Sequence, residues 1–410
     1  MTQTYHKTIL PSGLTVVSEF IPSVRSVSFG VWIKSGGAAE NPENNGVAHF
    51  LEHMVFKSTA KRNAREIARS IENLGGNLNA FTSKEQTCFH VEILDESLPQ
   101  AVEVLADILT RQTLPEIEIR KERDVILDEI ASVEDAPEEW IQDYFVEQLF
   151  PGHPLGYSIL GTRQSVKKTD LKTLLDFYNT HYCCDNIVIA AAGHIDHQNL
   201  LDLVQTHFHF PESPFGEQTL PVVDFGKGQI WRPARNSQAH LCLGVPGVAY
   251  QDPRKFDLLV LNTLLGGGMG SRLFQNIREE HGIAYNIYSF FDFHQQCGLF
   301  GVYLGTDARN LKKATDLLYA ELEAVAADPI DAQELAETQS QLKGNLVLGL
   351  ESTAARMNRL AMLEIYQKEF RPVDSVIEQI NRVSRESLYH TARELLAPEQ
   401  FLQVVLSPRE

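Results

Sequence analysis

His49 and His53 stand four residues apart in the stretch His49-Phe50-Leu51-Glu52-His53, with Glu52 just before the second histidine. On a helix this spacing places both imidazoles on one face, one turn apart, with the carboxylate beside them. Neutral imidazoles ligate zinc, and a neighbouring carboxylate can take a proton from a water that the metal polarises. The order H-x-x-E-H reverses the H-E-x-x-H of the commoner zinc-protease helix. Without a third ligand, the pair would be two histidines on a polar helix face and Glu52 a surface carboxylate.

A catalytic zinc takes three protein ligands and leaves one position for water. The third ligand must come from another element. An acidic helix predicted over 116–133 supplies Glu118, Glu122, Asp124, Asp128 and Glu129, with Glu134 just beyond. Glu122 and Glu129 lie seven apart and share a face. Spacing does not choose between them. His194 and His197, and the alternating His207-Phe208-His209, have no third ligand candidate nearby and read as solvated or capping residues. Gly266-Gly267-Gly268 lacks the Gly-Lys-Ser/Thr of a phosphate loop and reads as a turn.

The elements that must position these groups follow from pattern. Strands are expected at 15–17 and 27–33, which are rich in Val, Phe, Ile and Trp. Turn residues at 35–37 and 41–46 precede the His-pair helix, expected over 47–56. A second helix over 64–74 stops at Gly75-Gly76, and 77–94 reads as a hairpin. Helices follow over 98–111, 116–133 and 171–180, then a buried strand over 186–192. The stretch 210–236 holds Pro211, Pro214, Pro221 and Pro233 and reads as a linker.

Beyond the linker the pattern repeats. Helix, turn and strand over 166–189 match 383–406, and the strand 240–245 resembles 27–31. The helix after that second strand reads Phe256-Asp257-Leu258-Leu259-Val260-Leu261 and has no histidine pair. The expected fold is α+β: two homologous domains, each a mainly antiparallel sheet packed with helices in an α/β sandwich. Their expected extents are 1–212 for the metal-binding domain, 213–232 for the linker and 233–410 for the domain without ligands.

Composition narrows the function. The 410 residues are 43% apolar, enough for sizeable cores, and carry a formal net charge of −18. Nucleic acid is excluded as an expected partner, because phosphate binding needs clustered Lys and Arg. An acidic cleft would draw basic ligands, although a solvated acidic surface explains the charge equally well. Five cysteines with no C-x-x-C pair point to a reducing, cytoplasmic setting. No apolar run is long enough for a membrane span, and residues 1–13 show no signal-peptide pattern.

Gly46-Val47-Ala48-His49-Phe50-Leu51-Glu52-His53-Met54-Val55-Phe56-Lys57 resembles the signature of the pitrilysin/insulinase family of zinc metallopeptidases. The chain is similar to the bacterial branch related to mitochondrial processing peptidase. Glu122-Arg123-Asp124-Val125-Ile126 and Asp128-Glu129-Ile130 resemble that family's downstream glutamate helix. Asn79-Ala80-Phe81-Thr82, Gly152-His153-Pro154, Gly161-Thr162, the 266–285 region, Lys343-Gly344 and Glu351-Ser352-Thr353 extend the likeness over essentially the whole chain.

The resemblance implies a Zn²⁺ endopeptidase with His49, His53 and Glu129 as ligands, Glu52 as general base and Glu122 as a supporting carboxylate. It implies that Asn79, Ala80, Phe81 and Thr82 take the substrate backbone as an added strand. It implies that Arg278 and Tyr285, seven apart, bind the substrate carbonyl and stabilise the oxyanion. The glycine-rich segment would contact substrate. Short chains of this kind are expected to dimerise around an enclosed chamber, so the expected partners are peptide substrates and a second copy. The rival expectations are a non-catalytic scaffold, as in relatives that lost their metal residues, and a subunit of a hetero-oligomeric processing peptidase. Retention of both histidines, Glu52, Glu129 and the Arg/Tyr pair argues against the scaffold.

Overall fold

The computed structural model describes residues 5–212, 216, 220–234 and 238–408. Parts of the expected linker, 213–215 (with Pro214) and 217–219, lie outside the described residues, as do 1–4, 235–237 and 409–410.

The first sheet comprises β1 (Tyr5–Ile9), β2 (Thr15–Phe20), β3 (Ser26–Ile33), β4 (Asn77–Thr82), β5 (Thr87–Leu94) and β6 (Ile187–Gly193). Its order is β1-β2-β6-β3-β5-β4, antiparallel except where β2 meets β6. The second sheet comprises β7 (Gly228–Pro233), β8 (Gln238–Gly247), β9 (Ala284–Phe293), β10 (Gly298–Asp307) and β11 (Leu402–Ser407). Its order is β7-β11-β8-β10-β9, antiparallel except where β7 meets β11. Without β1, the first sheet has the same order and the same single parallel pair. The repeat expected from the sequence is therefore a repeat of topology. The fold is two domains, each a mixed sheet packed with helices.

Part of the stretch expected as linker is strand. Gln229-Ile230-Trp231-Arg232 carries β-favouring side chains and pairs with β11 at the sheet edge. An edge tolerates the missing N–H of Pro233, which closes the strand.

Why β3 reads as a continuous apolar run is clear from its two faces. Val27, Phe29, Val31 and Ile33 enter the main core with α1 (Val47–Val55), α2 (Ala64–Glu72) and α3 (Leu98–Thr110). Trp32 faces the other way, with Val17, Cys88, Val188 and Ala190, against Met357, Leu360 and Ala361 of the helix Thr353–Gln367. Both faces being covered, no alternation with polar residues is needed.

The same helix from the second half of the sequence thus belongs to the first compact unit, which comprises 1–132, 157–221 and 349–370. The second unit comprises 133–156, 222–348 and 371–410. It receives α5 (Pro137–Leu149) from the first half. Its Phe145 ring lies edge-on to Phe290, and Gly244 of β8 leaves room for it, since a Cβ there would sit 2.6 Å from the Phe145 ring. The units therefore cut across the expected halves at two places. In both cases a single helix covers the sheet face opposite the main helical core.

Candidate metal centre

The apolar positions of α1, Val47, Phe50, Leu51, Met54 and Val55, recur at helical spacing and are fully buried. That anchoring turns His49, Glu52 and His53 to the opposite side. The helix begins at Gly46, whose φ of +91° suits glycine, and a Cβ there would lie 2.7 Å from the Leu160 carbonyl. No side chain caps the helix locally. Instead the buried Glu40 carboxylate accepts the Gly46 and Ala48 N–H groups at 2.7 and 2.8 Å. A carboxylate at a helix N-terminus also complements the helix dipole.

The second supplier is α4 (Glu116–Asp135), held by buried Ile119, Ile126 and Ile130. On the same stripe Glu122 is 5% exposed, and Glu129 follows two turns on.

One donor atom from each of His49, His53 and Glu129 falls within a group spanning 4.8 Å. His49 Nε2 lies 3.9 Å from Glu129 Oε2, and His53 Nε2 lies 3.8 Å from Glu129 Oε1. Two donors on one zinc, each about 2.1 Å from it, can be at most roughly 4.2 Å apart. Glu129 Oε2 is buried and has no hydrogen-bond donor among the described residues. An orphaned carboxylate oxygen beside the His49 nitrogen, with its partner oxygen beside that of His53, fits a divalent cation.

The Glu122 carboxylate accepts from His53 Nδ1 at 3.0 Å, which assigns the ring proton to Nδ1 and leaves the Nε2 lone pair free. Lys57 Nζ holds the other Glu122 oxygen at 2.5 Å. His49 has no such support among the described residues, its Nδ1 being buried without a hydrogen-bond partner there. Glu52 Oε2 accepts from the Thr82 hydroxyl at 2.5 Å. Burial pushes the Glu52 carboxyl above its usual range, and the Thr82 bond pulls it back.

Burial, with His53 alongside, pulls His49 down to about 4. The ring is therefore neutral near pH 7, as a ligand must be. The ordinary value is 6.5, so between pH 6.5 and about 4 the unfolded chain binds more protons. Stability is present above that window and falls as pH falls through it. For metal-free protein the loss from His49 by pH 5 is on the order of 2 kcal/mol. Melting of metal-free wild type and His49→Asn at pH 7 and pH 5 checks this. An equal drop in both would refute it.

Asn79, Ala80, Phe81 and Thr82 lie on β4, the outer strand beside α1, which among the described residues pairs only with β5. The Ala80 N–H donates to the Asn79 side-chain oxygen at 2.8 Å. Phe81 turns to the Trp32 face, while Thr82 points to Glu52.

Arg278 and Tyr285 belong to the second unit. Arg278 sits on the helical segment Phe274–Glu280 with its guanidinium 4.7 Å from the Phe274 ring, and Tyr285 is exposed at the start of β9. His194 pairs with Asp95 at 2.8 Å. His197 is neither freely solvated nor a cap. It bridges the Thr8 and Ser18 hydroxyls of β1 and β2 at 2.9 and 2.8 Å. The two contacts that sequence reasoning missed, Thr82 to Glu52 and Lys57 to Glu122, join different elements, and no spacing signals them.

Residues 15–163 match the family model described as "Insulinase (Peptidase family M16)", and residues 168–342 match "Peptidase M16 inactive domain". The chain therefore belongs to the insulinase family of peptidases, family M16. It is 38% identical over 397 residues to the "Uncharacterized zinc protease YmxG" of Bacillus subtilis, covering 97% of each chain. It is 31% identical to the yeast (Saccharomyces cerevisiae) "Mitochondrial-processing peptidase subunit beta", covering 92% of this chain and 86% of that one. A crystal structure of a protease from Helicobacter pylori superposes with a TM-score of 0.90 at 23% identity, over 98% of this chain and 99% of that one. The family relation to zinc proteases supports a peptidase. The helix Lys255–Gly266, the counterpart of α1 in the second domain, carries no histidine pair. No helix among the described residues is long and apolar enough to cross a membrane.

Proposed function

We propose that the protein is a zinc-dependent endopeptidase that hydrolyses peptides or unfolded polypeptide segments. The observation that carries this reading is the convergence of His49, His53 and Glu129 from two helices, with Glu52 beside them. His49, His53 and Glu129 would hold Zn²⁺. Bound zinc supplies Lewis acidity toward water and the scissile carbonyl. Glu52 takes a proton from the attacking water as its oxygen bonds to the carbonyl carbon, then gives that proton to the leaving amine. Glu122 keeps the His53 ring in one tautomer and orientation.

Substrate binding falls to Asn79, Ala80, Phe81 and Thr82, the open edge that accepts an extended backbone as one more strand. Backbone pairing is indifferent to side chains and suits broad specificity. Arg278 and Tyr285 bind the substrate carbonyl and steady the developing oxyanion. We place the enzyme in the cytoplasm as a homodimer. All five cysteines are buried and free, as a reducing compartment requires.

Purified protein should contain about one zinc per chain and cleave a quenched fluorogenic peptide. Chelation should abolish cleavage, and added zinc should restore it. Gel filtration should place the activity at the dimer. A metal-free protein that stays inactive with zinc would favour a scaffold. Activity appearing only with an unlike partner would favour a hetero-oligomer.

A further inference from the structure

We propose that Lys57 is a positioning residue of the metal centre: it fixes the carboxylate that orients His53, and so sets how tightly the site holds a divalent ion. This rests on the zinc reading above and adds a residue to it.

Lys57 lies just past the end of α1, four residues beyond His53, and its backbone N–H donates to the Met54 carbonyl at 3.1 Å. Its ammonium reaches Glu122 Oε1 on α4 at 2.5 Å, while Glu122 Oε2 accepts from His53 Nδ1 at 3.0 Å. The Glu122 side chain is 7% exposed and that of Lys57 26%. A buried carboxylate with a cation on one oxygen and an imidazole on the other has one rotational setting. Without the ammonium, its remaining side-chain partner there is a single imidazole N–H, and its charge stays buried without compensation.

The same pair ties α1 to α4, the two helices that must bring His49 and His53 to Glu129. The ordered chain runs Lys57 Nζ, Glu122, His53, ligand position. A lysine that merely balanced an acidic helix would need no buried partner and no contact with the group that orients a ligand.

The test is zinc affinity, measured by competition with a chromophoric chelator, for wild type, Lys57→Met, Lys57→Gln and Lys57→Arg. Loss of a residue that supports a ligand typically weakens metal binding about 10–100-fold. Lys57→Met should fall in that range, with Lys57→Gln between it and wild type. Lys57→Arg should recover most of the affinity, since it keeps the charge and the reach. At saturating zinc, kcat should stay within several-fold of wild type. Should Lys57→Met not fold, Lys57→Gln and Lys57→Arg carry the comparison. Unchanged zinc affinity in the neutral variants, even with a lower melting temperature of the metal-free protein, would overturn the proposal. An arginine variant as weak as the methionine one would do the same. Failure of the wild type itself to bind zinc would instead sink the parent reading, so the two failures are distinguishable.

Discussion

Glu52→Gln is expected to lower kcat for peptide hydrolysis by about 10²–10⁴-fold, the range for losing a positioned general base. Zinc content and KM should stay close to wild type. The substitution keeps the shape of the side chain and an oxygen for the Thr82 hydroxyl, which now donates to Glu52 Oε2 at 2.5 Å. What it removes is the negative charge and the basicity of the carboxylate. His49 and His53 are carried by the α1 backbone, which a Glu-to-Gln change leaves helical, and His53 is also held by Glu122. Steady-state kinetics and metal analysis on one preparation decide the matter. A variant that cleaves at the wild-type rate would show that Glu52 is not the base. One that lost zinc as well would show that its role is structural.

The second large effect is on the metal itself. Glu129→Gln and His53→Ala should each weaken zinc binding well beyond the 10–100-fold typical of a supporting residue, because each removes a ligand. Activity should fall with occupancy, and excess zinc should restore it in part for Glu129→Gln. Glu129 separates two hypotheses here. Its side chain is 39% exposed, as an ordinary solvent-facing glutamate would be, yet its Oε2 is buried without a donor among the described residues and stands 3.9 Å from His49 Nε2. Isothermal titration of metal-free protein with zinc gives the affinities. Wild-type affinity in Glu129→Gln would move the third ligand elsewhere.

Much of this molecule was legible in the order of its residues. The His49/Glu52/His53 helix declared itself because helical spacing converts sequence into one face. Strands β2, β3, β6, β8 and β11, the hairpin that forms β4 and β5, and the repeat of helix and strand in the second half followed from periodicity, whereas β1, β9 and β10 were not expected. Other features resist such reading for physical reasons. The proposed third ligand, Glu129, lies on another helix, and the acidic stretch of α4 offers several carboxylates. Only the fold's docking of α4 against α1 brings Glu129 near both imidazoles. β7 hid among prolines and glycines because an edge strand tolerates them. The assignment of α5 to the second unit and of the helix Thr353–Gln367 to the first depends on which sheet face lacked a cover. That is a tertiary property. Glu40 capping α1 from six residues upstream, and Lys57 reaching Glu122, are likewise contacts between elements that no local pattern encodes.

The most direct measurement is anomalous scattering at the zinc absorption edge from crystals of the purified protein. A single strong peak is expected, with His49 Nε2, His53 Nε2 and a Glu129 oxygen each about 2.0–2.2 Å from it. Absence of any peak in zinc-supplied crystals, or a peak bound by other side chains, would contradict the hydrolytic role assigned to these residues.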